Sequence, residues 1–69
     1  MHTDGVIAVT RALRLLEAFG MDDAQLTLAE LSRRTGMHKT TALRIARTLA
    51  LDHYLVQKED GSWRLGRAV

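Results

Sequence analysis

Lys39, Thr40, Thr41, Arg44 and Arg47 lie within the nine residues KTTALRIAR, and together they offer cationic and hydroxyl hydrogen-bond donors with no carboxylate among them. Donors of this kind suit oxyanions and the acceptor-rich edges of nucleobases. They do not by themselves carry out covalent chemistry. The sequence has no carboxylate pair, no nucleophile with an adjacent base and no phosphate-cradling glycine loop, so an enzyme is not expected. His2, His38 and His53 lack the spacing of a ligand set and there is no cysteine, so neither a metal nor any other cofactor is expected.

The element that must carry these donors is a helix over about 38–52. At 100° per residue, Ala42, Ile45, Ala46 and Leu49 fall within about 60° of one another's centre and form the core side. Thr40, Thr41, Arg44, Arg47 and Thr48 fall on the opposite arc. A merely solvated face normally mixes Glu with Lys and uses strong helix formers. This one has no acid and three threonines, which favours a face shaped for a groove. Leu51 also points outward near the helix end, without an evident reason.

Three further segments must position that helix. Over about 5–19, Val9, Ala12, Leu13, Leu16 and Phe19 recur at helical spacing, with Thr3 or Asp4 available as a cap and Gly20 as a stop. Ala8 and Leu15 widen the apolar arc, which admits either ordinary packing or a contact with a second chain. A short helix over about 28–34 opens with Thr27 and Glu30 in capping-box spacing and ends at Gly36, with Leu28 and Leu31 facing inward. Arg33 and Arg34 fall in its last turn, where the helix dipole favours cations. The stretch YLVQKEDGSWRLG reads as a hairpin over about 54–65, with Asp60-Gly61 expected in a tight type I′ turn and Tyr54, Trp63 and Leu65 as anchors. Leu26 and Thr27 are candidates for a short third strand.

Sixty-nine residues make one domain, and a chain of this size buries only about 60% of its unfolded surface, so its core must be compact. From Met1 to Ser32 two basic residues face five acidic ones, a balance of −3. From Arg33 to Val69 eight basic residues face three acidic ones, a balance of +5. A basic half suits a polyanionic partner, although charge alone leaves an ordinary solvated surface equally open. No stretch approaches the roughly 20 apolar residues of a membrane span, and the N-terminus lacks signal-peptide features, so a cytoplasmic protein without membrane contact is expected.

Two helices joined by TGMHK, followed by a hairpin, make a small, mainly helical α+β fold: a winged helix-turn-helix of three helices and a C-terminal two-stranded wing. In such a unit the third helix enters the DNA major groove. Arg44 is the first candidate for a base contact, because its planar fork matches the two acceptors of a guanine, and Thr40 and Thr41 are shorter base-reading candidates. Lys39 and Arg47 are candidates for phosphate contacts, as are Thr27, Lys58 and Arg64 on the flanking elements. Competing readings remain. Thr40 or Thr41 could instead satisfy the free N–H groups of the helix start, Arg47 could pair with Asp52, and Trp63 is better explained as a core anchor than as a groove contact.

VTRALRLLEAF, LTLAELSRRTGMHKTTALRIARTL and HYLVQKEDGSWRLG resemble the N-terminal DNA-binding domain of IclR-family bacterial transcription regulators, over about Val6 to Val69. The resemblance implies sequence-specific binding of double-stranded DNA at a pseudopalindromic operator for transcriptional control. It also implies a homodimer to which the first helix contributes, and places Lys39, Thr40, Thr41 and Arg44 on the recognition motif. His38 stands where the family often has proline, and His53 where it often has glycine; the second substitution carries a conformational cost. Family members bind a small effector through a larger C-terminal domain, so the resemblance implies that this chain of about 1–69, with a linker beginning at 66–69, is either an excised DNA-binding domain, the favoured reading, or a naturally short relative. The alternative from another class is a winged-helix module for protein–protein interaction.

Overall fold

Capping chemistry and apolar periodicity divide the chain into α1 (Ile7–Glu17), α2 (Leu28–Thr35), α3 (Lys39–Leu51), β1 (Leu55–Gln57) and β2 (Trp63–Leu65). The structure is a computed structural model that describes residues 6–21 and 24–69. Thr3 and Asp4, expected to cap α1, lie outside the described residues. The three helices and one antiparallel hairpin form a winged helix-turn-helix.

Packing centres on α3, which lies against both α1 and α2. Its buried contributions are the small residues Ala42 and Ala46, which let the neighbouring helices approach closely. Leu15 and Phe19 from α1 and its exit, Leu31 from α2, and Leu26, Leu55 and Trp63 from the hairpin region complete the core. Ile45 and Leu49 pack at its margin.

The inward face of α1 differs from the expected one. Leu15 is fully buried at 0% exposure, whereas Val9 and Leu13 are 57% and 54% exposed. The physical reason is that α1 is apolar around more than half of its circumference, so period alone does not choose the buried arc. The choice is made by the fit of Leu15 and Phe19 into the core, with Leu16 packed beside them. The helix stop differs too. Ala18 caps α1 with right-handed backbone, and its N–H reaches the carbonyls of Arg14 and Leu15 while that of Phe19 reaches Leu16. The chain leaves through this tightened turn rather than through a left-handed glycine at the cap, the role that the sequence suggests for Gly20.

In the hairpin, Leu55 pairs with Leu65, Val56 with Arg64 and Gln57 with Trp63. The connection is not the expected two-residue type I′ turn. Asp60 is not among the residues with positive φ, while Gly61 has φ 90° and its N–H returns to the Lys58 carbonyl. Lys58 N–H in turn donates to the Ser62 carbonyl, closing a three-residue loop with left-handed Gly61 as its bulge. The Asp60 carboxylate stabilises this loop by accepting from both the backbone N–H and the hydroxyl of Ser62. Those bonds, the side-chain one foremost, hold its carboxyl below the usual range.

Trp63 anchors the wing at 1% exposure, but the second anchor is Leu55 rather than Tyr54, which is 40% exposed. One residue of register decides this, since alternate strand residues face opposite sides. Leu26 joins Trp63 through a two-bond bridge, N–H to carbonyl in each direction at 2.8 and 2.7 Å, while Thr27 belongs to the α2 cap. The expected third strand is therefore a single bridge. Among the described residues the Trp63 indole N–H has no partner. That costs roughly 1–3 kcal/mol, less than the roughly 4–6 kcal/mol expected from burying 150–250 Å² of aromatic surface.

Candidate nucleic-acid interface

The orientation of α3 is set by the short turn that precedes it. Gly36 ends α2 with φ 77°, and no atom lies within 4 Å of where a Cβ would stand, so glycine is needed there for its backbone angle and not for space. Thr35 donates its hydroxyl to the Leu31 carbonyl at 2.7 Å and accepts from Met37 N–H at 3.2 Å. Ser32 donates its hydroxyl to the Met37 carbonyl. Both polar groups of the Met37 backbone are thereby tied to α2. His38 then serves as the N-cap of α3 in extended backbone, without a side-chain capping bond.

This brings Lys39, Thr40, Arg44 and Arg47 to the exposed surface of one helix. Among the described residues neither threonine hydroxyl at the helix start has a hydrogen-bond partner, so the capping role considered for Thr40 and Thr41 is not taken up. Thr41 is half-buried and lines the cleft between α3 and α1 rather than the outermost face. Thr48, further along, donates its hydroxyl to the Arg44 carbonyl at 2.8 Å. No ion pair between Arg47 and Asp52 is present among the described residues, which leaves the Arg47 guanidinium unneutralised.

The flanking candidates are placed as follows. Thr27 forms the capping box: its hydroxyl accepts from Glu30 N–H at 3.1 Å, and its own N–H donates to the Glu30 carboxylate at 2.8 Å. The hydroxyl proton of Thr27 remains available to donate. Lys58 donates from its ammonium to the Gln25 side-chain carbonyl, which fastens the wing to the loop before α2. Arg64 is exposed on the wing, with a long 3.4 Å contact from its guanidinium to the Leu65 carbonyl. Arg34 donates to the Ala18 carbonyl at 3.0 Å and ties α2 to the end of α1, a structural role.

Sequence reasoning missed two groups. Ser32 and Thr35 fix the turn, a role hidden by their ordinary polar appearance. Arg11 and Arg14 belong by count to the acid-rich half, yet folding sets them beside α3. Arg11 shares one cleft, of about 430 Å³, with Thr41 and Arg44. Arg11 and Arg14 together line a second, of about 290 Å³, against Gly36, His38 and Thr41. Their i, i+3 spacing on one side of α1 was the signal available. A surface of this kind, with exposed donors, no interleaved acid on α3 and a backbone pinned at the helix start, can bind a polyanion and present side chains to a groove.

The family model of the IclR helix-turn-helix domain matches residues 8–59. The chain is 35% identical over 66 residues to the p-hydroxybenzoate hydroxylase transcriptional activator of Acinetobacter baylyi, covering 96% of this chain and 24% of that protein. It is also 35% identical over 60 residues to the HTH-type transcriptional regulator XynR of Escherichia coli, covering 86% and 24% respectively. Among solved structures, an IclR family transcriptional regulator from Brucella abortus superposes with a TM-score of 0.88 at 31% identity, over 93% of this chain and 25% of that one. An IclR homolog from Microbacterium hydrocarbonoxydans, complexed with 4-hydroxybenzoate, gives 0.82 at 31% identity over 88% and 25%. The chain thus spans about a quarter of the length of the relatives it matches.

Proposed function

The chain belongs to the IclR helix-turn-helix family, and from that premise we propose that it is the DNA-binding unit of a bacterial transcription regulator, with α3 as its groove-reading helix. The observation that carries this reading is the exposed, acid-free face of Lys39, Thr40, Arg44 and Arg47 on a helix whose start is pinned from both sides of Met37. Arg44 reads a guanine through its fork, and Thr40 and Thr41 reach neighbouring base edges. Lys39 and Arg47 hold phosphates beside the groove, Thr27 donates to a phosphate at the start of α2, and Lys58 and Arg64 do so from the wing.

A second copy completes the unit. Val9 and Leu13 on α1 and Val6 at its N-cap are each more than half exposed, and Val9 and Leu13 stand at least about 100° around the helix from Arg11 and Arg14. We assign this stripe to a homodimer contact, which would present two copies of α3 to a pseudopalindromic operator. A small-molecule effector acts, in this reading, through a further domain and not through the described residues.

Selection of bound duplexes from a random pool, followed by titration of the selected and scrambled sequences, tests the assignment. Arg44→Ala is expected to lose about 1–3 kcal/mol of discrimination at one base position. Lys39→Ala is expected to weaken selected and scrambled duplexes alike. Equal weakening of both duplexes by Arg44→Ala would remove it from the base-reading set.

A further inference from the structure

Arg11 and Arg14 are cations of α1 that line the clefts beside α3. Both are exposed, and among the described residues neither has an ion-pair partner. Arg14 falls in the last turn of α1, where the helix dipole offers it modest support, but Arg11 lies mid-helix and has no such reason. Arg11 also faces Arg44 across the α1–α3 cleft, and two like charges sharing a cleft repel. Glutamine or alanine at position 11 would avoid that repulsion without lowering helix propensity. The arrangement makes physical sense with an anion between α1 and α3.

We propose that Arg11 and Arg14 grip the sugar–phosphate backbone of the DNA strand that borders the groove entered by α3, forming a second phosphate track parallel to the recognition helix. This rests on the reading of α3 as the groove-reading helix. The two clefts share Arg11 and Thr41 as lining residues, one including Arg44 and the other the α2–α3 turn at Gly36 and His38, so together they border the flank of α3. A strand backbone fits such a flank better than a single free anion does, because the cations are distributed along it rather than converging on one point. Val9 and Leu13 stand at least about 100° around α1 from both arginines, so this contact and a second copy seated on Val9 and Leu13 do not compete for the same surface. The track reads no base, and its contribution is to affinity and register.

The test is the salt dependence of binding to a fluorescein-labelled mixed-sequence duplex. Removing one phosphate-binding cation flattens the slope of log K against log salt by about 0.9. Arg11→Gln and Arg14→Gln are each expected to flatten the slope by about that amount, and the double variant by about twice it. For the double variant, the ratio of affinities at 50 and 200 mM salt then becomes roughly tenfold smaller. Arg67→Gln removes the same charge from the tail that follows the wing and is expected to leave the slope as in the wild-type chain. Phenylglyoxal labelling of the wild-type chain provides an arm that needs no variant. Bound duplex is expected to protect Arg11 and Arg14 from modification and to leave Arg67 reactive. Unchanged slopes together with unprotected Arg11 and Arg14, in a chain that still binds the duplex, would overturn the phosphate track alone. A wild-type chain that binds no duplex at low salt would instead overturn the reading of α3 on which it rests.

Discussion

His53 has φ 66° just after α3, a left-handed backbone that costs a residue with a side chain about 1–2 kcal/mol. Its N–H closes back on the Ala50 carbonyl, and its own carbonyl accepts from Ala68, so the surrounding bonds enforce the angle. Glycine takes this conformation freely but gives back about 0.5–1 kcal/mol through its larger unfolded-state entropy. His53→Gly is therefore expected to stabilise the chain by about 0.5–1 kcal/mol and to raise its melting temperature by a few degrees. A thermal melt checks this, and an unchanged or lower midpoint would mean that the histidine side chain compensates its own strain. The strained position was legible in the sequence only through the family resemblance, which puts a glycine where His53 stands. The turning of Thr41 into the α1 cleft was not legible, because a helical wheel for α3 carries no information about which helix leans against it.

At the scale of elements, α2 shows how local chemistry fixes a boundary. Thr27 and Glu30 satisfy each other's backbone N–H groups, and the bond from Thr27 N–H, ahead of the side-chain one, holds the Glu30 carboxyl below its usual range. A carboxylate whose pKa is depressed in the folded state contributes stability above its unfolded pKa and loses it as the pH falls through the folded value. Glu30 and Asp60 both behave in this sense, so the melting temperature is expected to decline as the pH is lowered below about 4. Glu30→Gln keeps an acceptor for the capping box but cannot be protonated in that range. Its melting temperature is expected to fall less steeply with acid than that of the wild type, and an identical acid profile would show that Glu30 does not contribute to the decline. This capping box was readable directly from the spacing of two residues. The buried face of α1 and the turn of the wing were not, since the first depends on what packs against the helix and the second on which strand register brings Trp63 inward.

At the scale of the whole molecule, α1 separates two surfaces. One flank carries Arg11 and Arg14 beside α3, and the other exposes Val6, Val9 and Leu13. An apolar stripe of this kind is better explained by a second chain than by solvent. Leu13→Glu is expected to leave the fold intact, because the side chain is 54% exposed, and to weaken self-association in sedimentation equilibrium by at least several-fold. Self-association unchanged by Leu13→Glu would place the dimer contact elsewhere. Fold class followed from the order of elements, and the exposed, acid-free face of α3 followed from the spacing of its residues. The charge distribution did not follow, because a count along the chain put Arg11 and Arg14 in the acidic half while folding carries them to the basic surface.

That α3 and its flanks form a DNA-reading surface is tested most directly by titrating a duplex selected by the chain and a scrambled duplex at about 50 and 200 mM salt. Binding to both is expected at low salt, with affinity for the scrambled duplex falling on the order of 10²- to 10³-fold at the higher salt, where a preference for the selected sequence persists. Absence of binding to either duplex at low salt, or equal affinity for both at each salt concentration, would contradict a DNA-reading role for α3.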